Sequence, residues 1–485
     1  MKRLVATEES KPMKTLLPVL LLALGLAQTA AADRPNIIFI LADDLGWADV
    51  GCYGSKYYET PNIDRLATQG MRFTDAYAAC AVCSPTRASI LTGKYPARLH
   101  ITDWIPGETD SPRNKLKMPD WQKFLPLEEI TIAEALKAAG YATASIGKWH
   151  LGNEPYYPEH HGFDVNIAGT HFGHPASYFW PYSGKSHTVA GLQDGGKEGE
   201  YLTDRLTTEA EKFIEHNKDK PFLLYFPHYA VHVPLMGKPA LVAKYKAKTP
   251  AGEQTNAAYA AMIESLDDSV GRILAKLDAL GIADRTVVIF MSDNGGLWPQ
   301  ATSNAPLRAG KDYPYEGGAR VPLIIKWPGA TKAGGACGVP VSSIDFFPTL
   351  LEMAGVKLPG PVDGLSLVPA LKQTGTVDRD ALYWHYPHYW GGHPSRVQPF
   401  GAVRAGDWKL IEFYEDMRVE LYNLKDDLGE AHDLAQTNPA KAKELREKLH
   451  QWRKDVNAQM PTPNPDYAPA RKAGQAARPK QVDEG

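Results

Sequence analysis

The chain has 485 residues, a formal net charge of −3, 44% hydrophobic and 22% charged residues. That is enough for one large domain plus a smaller one, with the composition of a soluble globular protein. The nearly balanced charge excludes a general polyanion-binding surface, so no nucleic-acid partner is expected and any anion must be met by a local cluster of cations.

In chain order, Met13-Lys14 precedes an apolar run from Leu16 to Ala27 and the small residues Ala30, Ala31 and Ala32. This reads as a secretory signal peptide over residues 1–32, cut just after Ala30 to Ala32. Glu8 and Glu9 do not suit such a start, which makes Met13 the candidate initiator. The run is short for a bilayer span and contains Pro18. Export to the periplasm or beyond, with no stable membrane span, is the expectation; an uncleaved anchor is the alternative.

Asn36 to Ala42 is a continuous β-rich apolar run, as in a parallel strand buried on both faces. Thr131 to Ala139 has helical periodicity ending at Gly140, and Tyr141 to Ile146 a strand. Leu202 to His216 and Ala257 to Leu280 read as helices, and Pro221 to Phe226, Thr286 to Met291 and Val321 to Trp327 as strands. Helices alternating with buried strands predict an α/β fold around a large, mostly parallel sheet over residues 33–375. A smaller α+β subdomain follows over 376–460. In it Gly401 to Phe413 and Val419 to Asn423 read as antiparallel strands separated by a charged turn, and a last helix runs from Asn438 or Pro439 to about Val456. Residues 461–485, rich in Pro, Ala, Lys and Arg, are expected to form a loose tail.

Chemistry concentrates where strands end. The first strand ends in Asp43-Asp44, the strand at Ile146 leads into Gly147-Lys148-Trp149-His150, and the strand at Met291 ends in Ser292-Asp293-Asn294-Gly295. Asp43, Asp44, Asp293 and Asn294 offer only oxygen donors, a set that suits Ca²⁺ or Mg²⁺ and not zinc. Each motif alone would be read as a helix cap or a turn; the pair at two strand ends points to a cation. In Cys83-Ser84-Pro85-Thr86-Arg87, Ser84 can cap a helix closed near Gly93. Cys83 then sits at the helix N-terminus, where an anion is favoured, and Arg87 lies one turn on. Cys80-Ala-Val-Cys83 has the spacing of a zinc pair, but nothing completes a zinc site. Four cysteines are too few for a disulfide framework, so Cys80 is either a buried thiol or half of a disulfide.

These residues resemble the type I, formylglycine-dependent sulfatases of the alkaline-phosphatase superfamily, an arylsulfatase-like family. The C-x-P-x-R motif at Cys83, the Asn36-to-Gly46 segment, Gly147 to Gly152, Ser292 to Gly296 and Leu307 to Pro322 look like its blocks in the right order. The likeness extends from about Arg34 to the final helix. It implies a mixed, alkaline-phosphatase-like sheet in a catalytic domain, and Ca²⁺, with Mg²⁺ as the alternative, held by Asp43, Asp44, Asp293, Asn294 and residue 83. It implies that a formylglycine-generating or sulfatase-maturating enzyme converts Cys83 to formylglycine. Arg87 and Lys148 would hold its hydrate, His150 would take a proton from it, and His232 and Lys311 would contact the sulfate and the departing ester oxygen. Some members place a serine after the Gly-Phe turn, but Gly162 to Pro175 shows Thr170, His171, Gly173 and His174 instead.

Two aromatic clusters, Tyr178 to Tyr182 and Tyr383 to Trp390, read as packing or as a platform for sugar rings, with His385 or His388 touching substrate. A sulfated sugar or polysaccharide is the preferred substrate. The alternatives are a phosphonate monoester hydrolase or phosphodiesterase of the same superfamily, and a non-catalytic sulfated-glycan-binding protein.

Overall fold

All seven residues of Asn36–Ala42 are buried. Ile38 and Ile40 face one core while Ile37, Phe39 and Leu41 face another. A strand covered on both sides has no polar face, which is why its sequence is an unbroken apolar run. The computed structural model describes residues 34–391 and 397–468. The eight-stranded sheet runs in the order Gly335–Cys337, Met71–Phe73, Leu323–Lys326, Thr286–Ser292, Asn36–Ala42, Phe222–Pro227, Ala142–Ile146, Val165–Ile167. Within it Leu323–Lys326 runs against both neighbours, and every other pairing is parallel. Helices Leu202–His216 and Ala257–Ala279 cover one face. Helices Cys83–Thr92, Ile132–Ala138 and Phe346–Met353 cover the other. This is the mixed, mostly parallel α/β arrangement expected.

Four antiparallel strands follow, Leu382–Tyr386, Phe400–Ala405, Trp408–Phe413 and Val419–Asn423, paired in that order. Gly401 to Phe413, expected as one strand, folds as a hairpin instead. Gly406 at φ 58 supplies the left-handed turn between its halves. One face of this small sheet packs through Trp384, Ala402 and Ile411 onto Tyr77 and Val82 of the larger part. The other takes Ala442, Leu445, Leu449 and Trp452 from the helix Pro439–Asp455, an i, i+3, i+7, i+10 stripe.

A buried charge cluster ties the two parts together. Lys409 Nζ lies 2.9 Å from both Glu316 and Glu430. The Tyr77 hydroxyl donates to Glu316 at 2.6 Å, and the Glu316 N–H donates to Glu430 at 2.6 Å. Charges this deep persist only when paired.

The signal peptide expected over residues 1–32 lies outside the described residues, as does the expected tail from residue 469 onward. The first residues of that tail are not loose. Thr462–Pro463 pairs with Leu116–Lys117, and the Ala468 N–H donates to the Pro112 carbonyl at 2.7 Å. Backbone hydrogen bonds hold this stretch, and composition carries no trace of them. Among the described residues no helix is long and apolar enough to cross a membrane.

Candidate active site

Thr286–Ser292, Asn36–Ala42, Phe222–Pro227 and Ala142–Ile146 are parallel neighbours, so their carboxyl ends share one edge of the sheet. Asp293 and Asn294, Asp43 and Asp44, His232, and Lys148 and His150 follow these four strands in turn. Asp44 adopts φ 59, a left-handed conformation that aspartate tolerates, and this breaks the strand alternation that would send two successive carboxylates to opposite sides. Gly147 and Gly295 are required by space. A Cβ on the first would lie 1.9 Å from the Pro227 carbonyl oxygen, and on the second 1.8 Å from that of Gly317.

Three carboxylates interlock with three cations, all buried. Lys148 Nζ donates to Asp43 Oδ2 at 2.7 Å. Lys311 Nζ reaches both oxygens of Asp44 at 2.8 and 2.9 Å. Arg87 grips Asp293 Oδ2 through Nε at 3.0 Å and Nη2 at 2.7 Å, and donates to the Lys148 carbonyl at 2.9 Å. Asn294 Nδ2 donates to Asp44 Oδ1 at 2.8 Å, and the Asp44 N–H to Asp293 Oδ1 at 3.2 Å. Two oxygens in this cluster, Asp43 Oδ1 and Asn294 Oδ1, are buried with no hydrogen-bond partner. Buried acceptors are ordinarily satisfied, so an oxygen-only donor set with two idle acceptors fits a hard divalent cation such as Ca²⁺ or Mg²⁺. The protonation tendencies agree. Burial, then the charge of Asp293, push Asp43 up to about 8. Asp44 goes the other way: Lys311 and His232 outweigh the cost of its burial.

Cys83 sits in the first turn of Cys83–Thr92, with Val82, not Ser84, at the cap position. Ser84 has other partners: its Oγ donates to the His150 carbonyl at 2.9 Å and accepts from the Ile105 N–H at 3.1 Å. Cys83 Sγ lies 3.3 Å from His150 Nδ1. His150 Nε2 makes a short hydrogen bond to the Ile105 carbonyl, which can only accept. Nε2 therefore carries the proton and Nδ1 presents its lone pair to position 83. Burial, then Lys148, push His150 far below its ordinary range, so the ring is neutral. Burial also raises the Cys83 thiol, against the pull of Lys148 and Lys311; an unmodified cysteine here is no activated nucleophile.

His232 Nε2 stands 3.2 Å from Lys311 Nζ and 3.5 Å from Asp44 Oδ2. With Asp43 and Asp44 it forms a trio whose ligand atoms lie within 4.8 Å of one another, nearer the carboxylates than the sequence reading placed it. Asp43, Asp44, Cys83, Arg87, Lys148, His150, His232, Asp293, Asn294 and Lys311 thus come together in one cluster. His385 does not join them. It is buried, its Nδ1 bonded to the Tyr414 hydroxyl at 2.7 Å and its Nε2 to the Gln459 carbonyl at 2.9 Å. With both nitrogens committed, His385 has nothing to offer a substrate. His388 is likewise buried, against Thr102 at 2.8 Å.

Most of the two aromatic clusters is packing. Tyr383 stacks on Trp452 at 4.8 Å and 4°, and Tyr178 donates to the Tyr229 and His232 carbonyls at 2.6 and 2.8 Å. All four cysteines are free, Cys80 as a buried thiol. Sequence reasoning missed the Ile105 carbonyl that orients His150, since a backbone acceptor has no side-chain signature. It named Thr170, His171, Gly173 and His174 without giving them a role; Gly173 lies so close to the His150 ring that there is no room for a side chain.

The chain matches the family described as "Sulfatase" over residues 35–356 and the one described as "N-sulphoglucosamine sulphohydrolase, C-terminal" over residues 310–459. It is 36% identical to a protein named "Sulfatase" from Formosa agariphila, covering 89% of this chain and 91% of that one. It is 35% identical to N-acetylgalactosamine-6-sulfatase of Rattus norvegicus, over 84% and 78% of the two chains. Among solved structures, Ps i-CgsB in complex with k-i-k-neocarrahexaose superposes with a TM-score of 0.73 at 32% identity, over 87% of this chain and 93% of that one.

Proposed function

Because the chain belongs to the sulfatase family, we propose that it hydrolyses sulfate monoesters on a sulfated carbohydrate, through a formylglycine made from Cys83 and a divalent cation. The observation that carries this reading is Cys83 held 3.3 Å from the unprotonated nitrogen of His150, beside a carboxylate cradle with two idle oxygens.

Asp43, Asp44, Asp293 and Asn294, with residue 83, would hold Ca²⁺, which when bound supplies positive charge against the sulfate oxygens. The hydrated aldehyde supplies an attacking hydroxyl, and a second hydroxyl whose deprotonation expels sulfate. The chain's own residues do the remainder. Arg87 fixes Asp293 and the Lys148 backbone. Lys148 and Lys311 offset the ester's negative charge as it builds up in the transition state. Lys311, kept protonated by Asp44 despite burial, is the donor facing the departing oxygen, with His232 beside it. His150 Nδ1 takes the proton from the group at position 83.

A carbohydrate substrate is supported by the rat relative, named for a 6-sulfated amino sugar, and by the solved neighbour bound to a carrahexaose. Export is supported by the N-terminal sequence, and a maturating enzyme is the partner that the formylglycine requires. The test is turnover of 4-nitrophenyl sulfate and of position-defined sulfated sugars by protein co-produced with a maturating enzyme. Wild type should be active and Cys83→Ala inactive. The Cys83 peptide should be lighter by a sulfur-for-oxygen exchange and two hydrogens. Full activity of Cys83→Ala, or a preference for an aryl phosphonate over the aryl sulfate, would overturn the reading.

A further inference from the structure

One wall of the site has no role in this chemistry. The Thr170 carbonyl accepts from the His150 N–H at 3.0 Å. Gly173 lies so close to the His150 ring that a Cβ there would fall 2.4 Å from Cε1. His174 then sets its ring parallel to that of His232, the centroids 6.2 Å apart and the planes 6° from coplanar. The strap from Thr170 to His174 thus spans both site histidines.

It is braced from outside. His187 Nε2 donates to the His174 carbonyl at 2.8 Å, and its ring stacks on Phe172 at 3.9 Å and 13°. The same ring meets that of His174 edge-on at 5.1 Å. His174 is exposed, and its Nδ1 hydrogen-bonds to the Pro175 carbonyl at 3.1 Å. A carbonyl accepts only, so Nδ1 carries the proton. In the uncharged tautomer this leaves the lone pair on Nε2, which has no hydrogen-bond partner among the described residues.

We propose that His174 reads the alcohol half of the substrate, its Nε2 accepting a hydrogen bond from a free hydroxyl on the carbon neighbouring the sulfated one. This rests on the sulfate-ester reading above and adds to it the feature required beside the sulfate. His174 flanks His232, which itself borders Lys311 and Asp44, so an alcohol whose sulfate sits on Lys311 brings its adjacent carbons to this ring. A hydroxyl there finds an acceptor. A second sulfate, which has only acceptors of its own, meets a lone pair and is disfavoured.

The experiment measures kcat/KM at about pH 8. Wild type is first checked on 4-nitrophenyl sulfate and on galactose, N-acetylgalactosamine and glucosamine monosulfated at a ring carbon or at C6; turnover of the 6-sulfates alone, whose neighbouring carbon C5 carries the ring oxygen and no free hydroxyl, would overturn the assignment. The best of these sugars is then compared with its analogue deoxygenated at the carbon next to the sulfate, in wild type, His174→Ala and His174→Gln. Wild type should prefer the hydroxyl-bearing sugar about tenfold, the value of one hydrogen bond. His174→Ala should bring that ratio to about one, and His174→Gln, which keeps an acceptor, should restore part of it. A wild type without the preference, a His174→Ala that keeps it, or turnover of the aryl ester but of no sugar would overturn the assignment while leaving the sulfatase reading intact. Inactivity on every sulfate ester would overturn both.

Discussion

Asp43 is the carboxyl that the local cations satisfy least, and its pH behaviour offers a test of the cation cradle that does not depend on turnover. Burial and Asp293 raise it from 3.8 to about 8. Below about pH 4, folded and unfolded chains both hold the proton. Between about pH 4 and 8 the cation-free folded protein keeps it and the unfolded chain does not, so stability falls by up to about 1.4 kcal/mol per pH unit. From about pH 5 to pH 8 this accumulates to at most about 4 kcal/mol. At roughly 2 cal/mol/K of unfolding entropy per residue, that is about 4 °C in a chain of this length. Asp44, shifted downward, is ionised in both states across this window and adds no slope.

Asp43→Asn removes the titration at nearly constant size. Melting curves of both proteins in EDTA, from pH 5 to pH 8, should show the variant gaining on wild type as pH rises, whatever constant offset separates them at pH 5. Millimolar Ca²⁺ should reverse the trend, because wild type then has a carboxylate to give the ion and the variant does not. A gap in EDTA that does not change with pH, or an equal response of both proteins to Ca²⁺, would refute the reasoning.

Three further outcomes are expected. His150→Ala should lower kcat on an aryl sulfate by about 10²–10⁴-fold, the usual value of a positioned base, while leaving the Ca²⁺-induced rise in melting temperature in place. Gly295→Ala must displace the Gly317 carbonyl or the Asn294 turn, and should weaken Ca²⁺ binding about 10–100-fold, as loss of a supporting contact around a metal does; a Ca²⁺ titration of the melting temperature reads this. Lys409→Met leaves Glu316 and Glu430 buried without the cation they share and should cost about 3–5 kcal/mol. An unchanged urea midpoint at pH 7 would contradict that.

The strand-end residues were legible because their chemistry is local. Asp43-Asp44 and Asp293-Asn294 each follow an apolar run, and parallel pairing of those runs is enough to bring them together. Arg87 was legible from helical spacing, although its guanidinium grips Asp293 as well as bordering position 83. His385 was misjudged because a histidine inside an aromatic run looks the same whether it faces a ligand or a neighbouring hydroxyl; only the positions of Tyr414 and the Gln459 carbonyl decide. The hairpin at Gly406 was hidden because Ala405-Gly406-Asp407 interrupts an otherwise even strand pattern by so little. Held tail residues and the Ile105 carbonyl were out of reach for a simpler reason: they act through backbone atoms, which every residue type possesses.

Every side chain from Cys83 to Thr92 is enclosed, and this has a consequence for timing. On the reading proposed above, position 83 must be rewritten by another protein, which has to reach its side chain. Once this helix has docked beneath the sheet, that side chain is closed off. The alteration therefore belongs to the interval between synthesis and closure of the core, and a molecule that closes with its thiol intact is committed to remaining inert for as long as it stays folded.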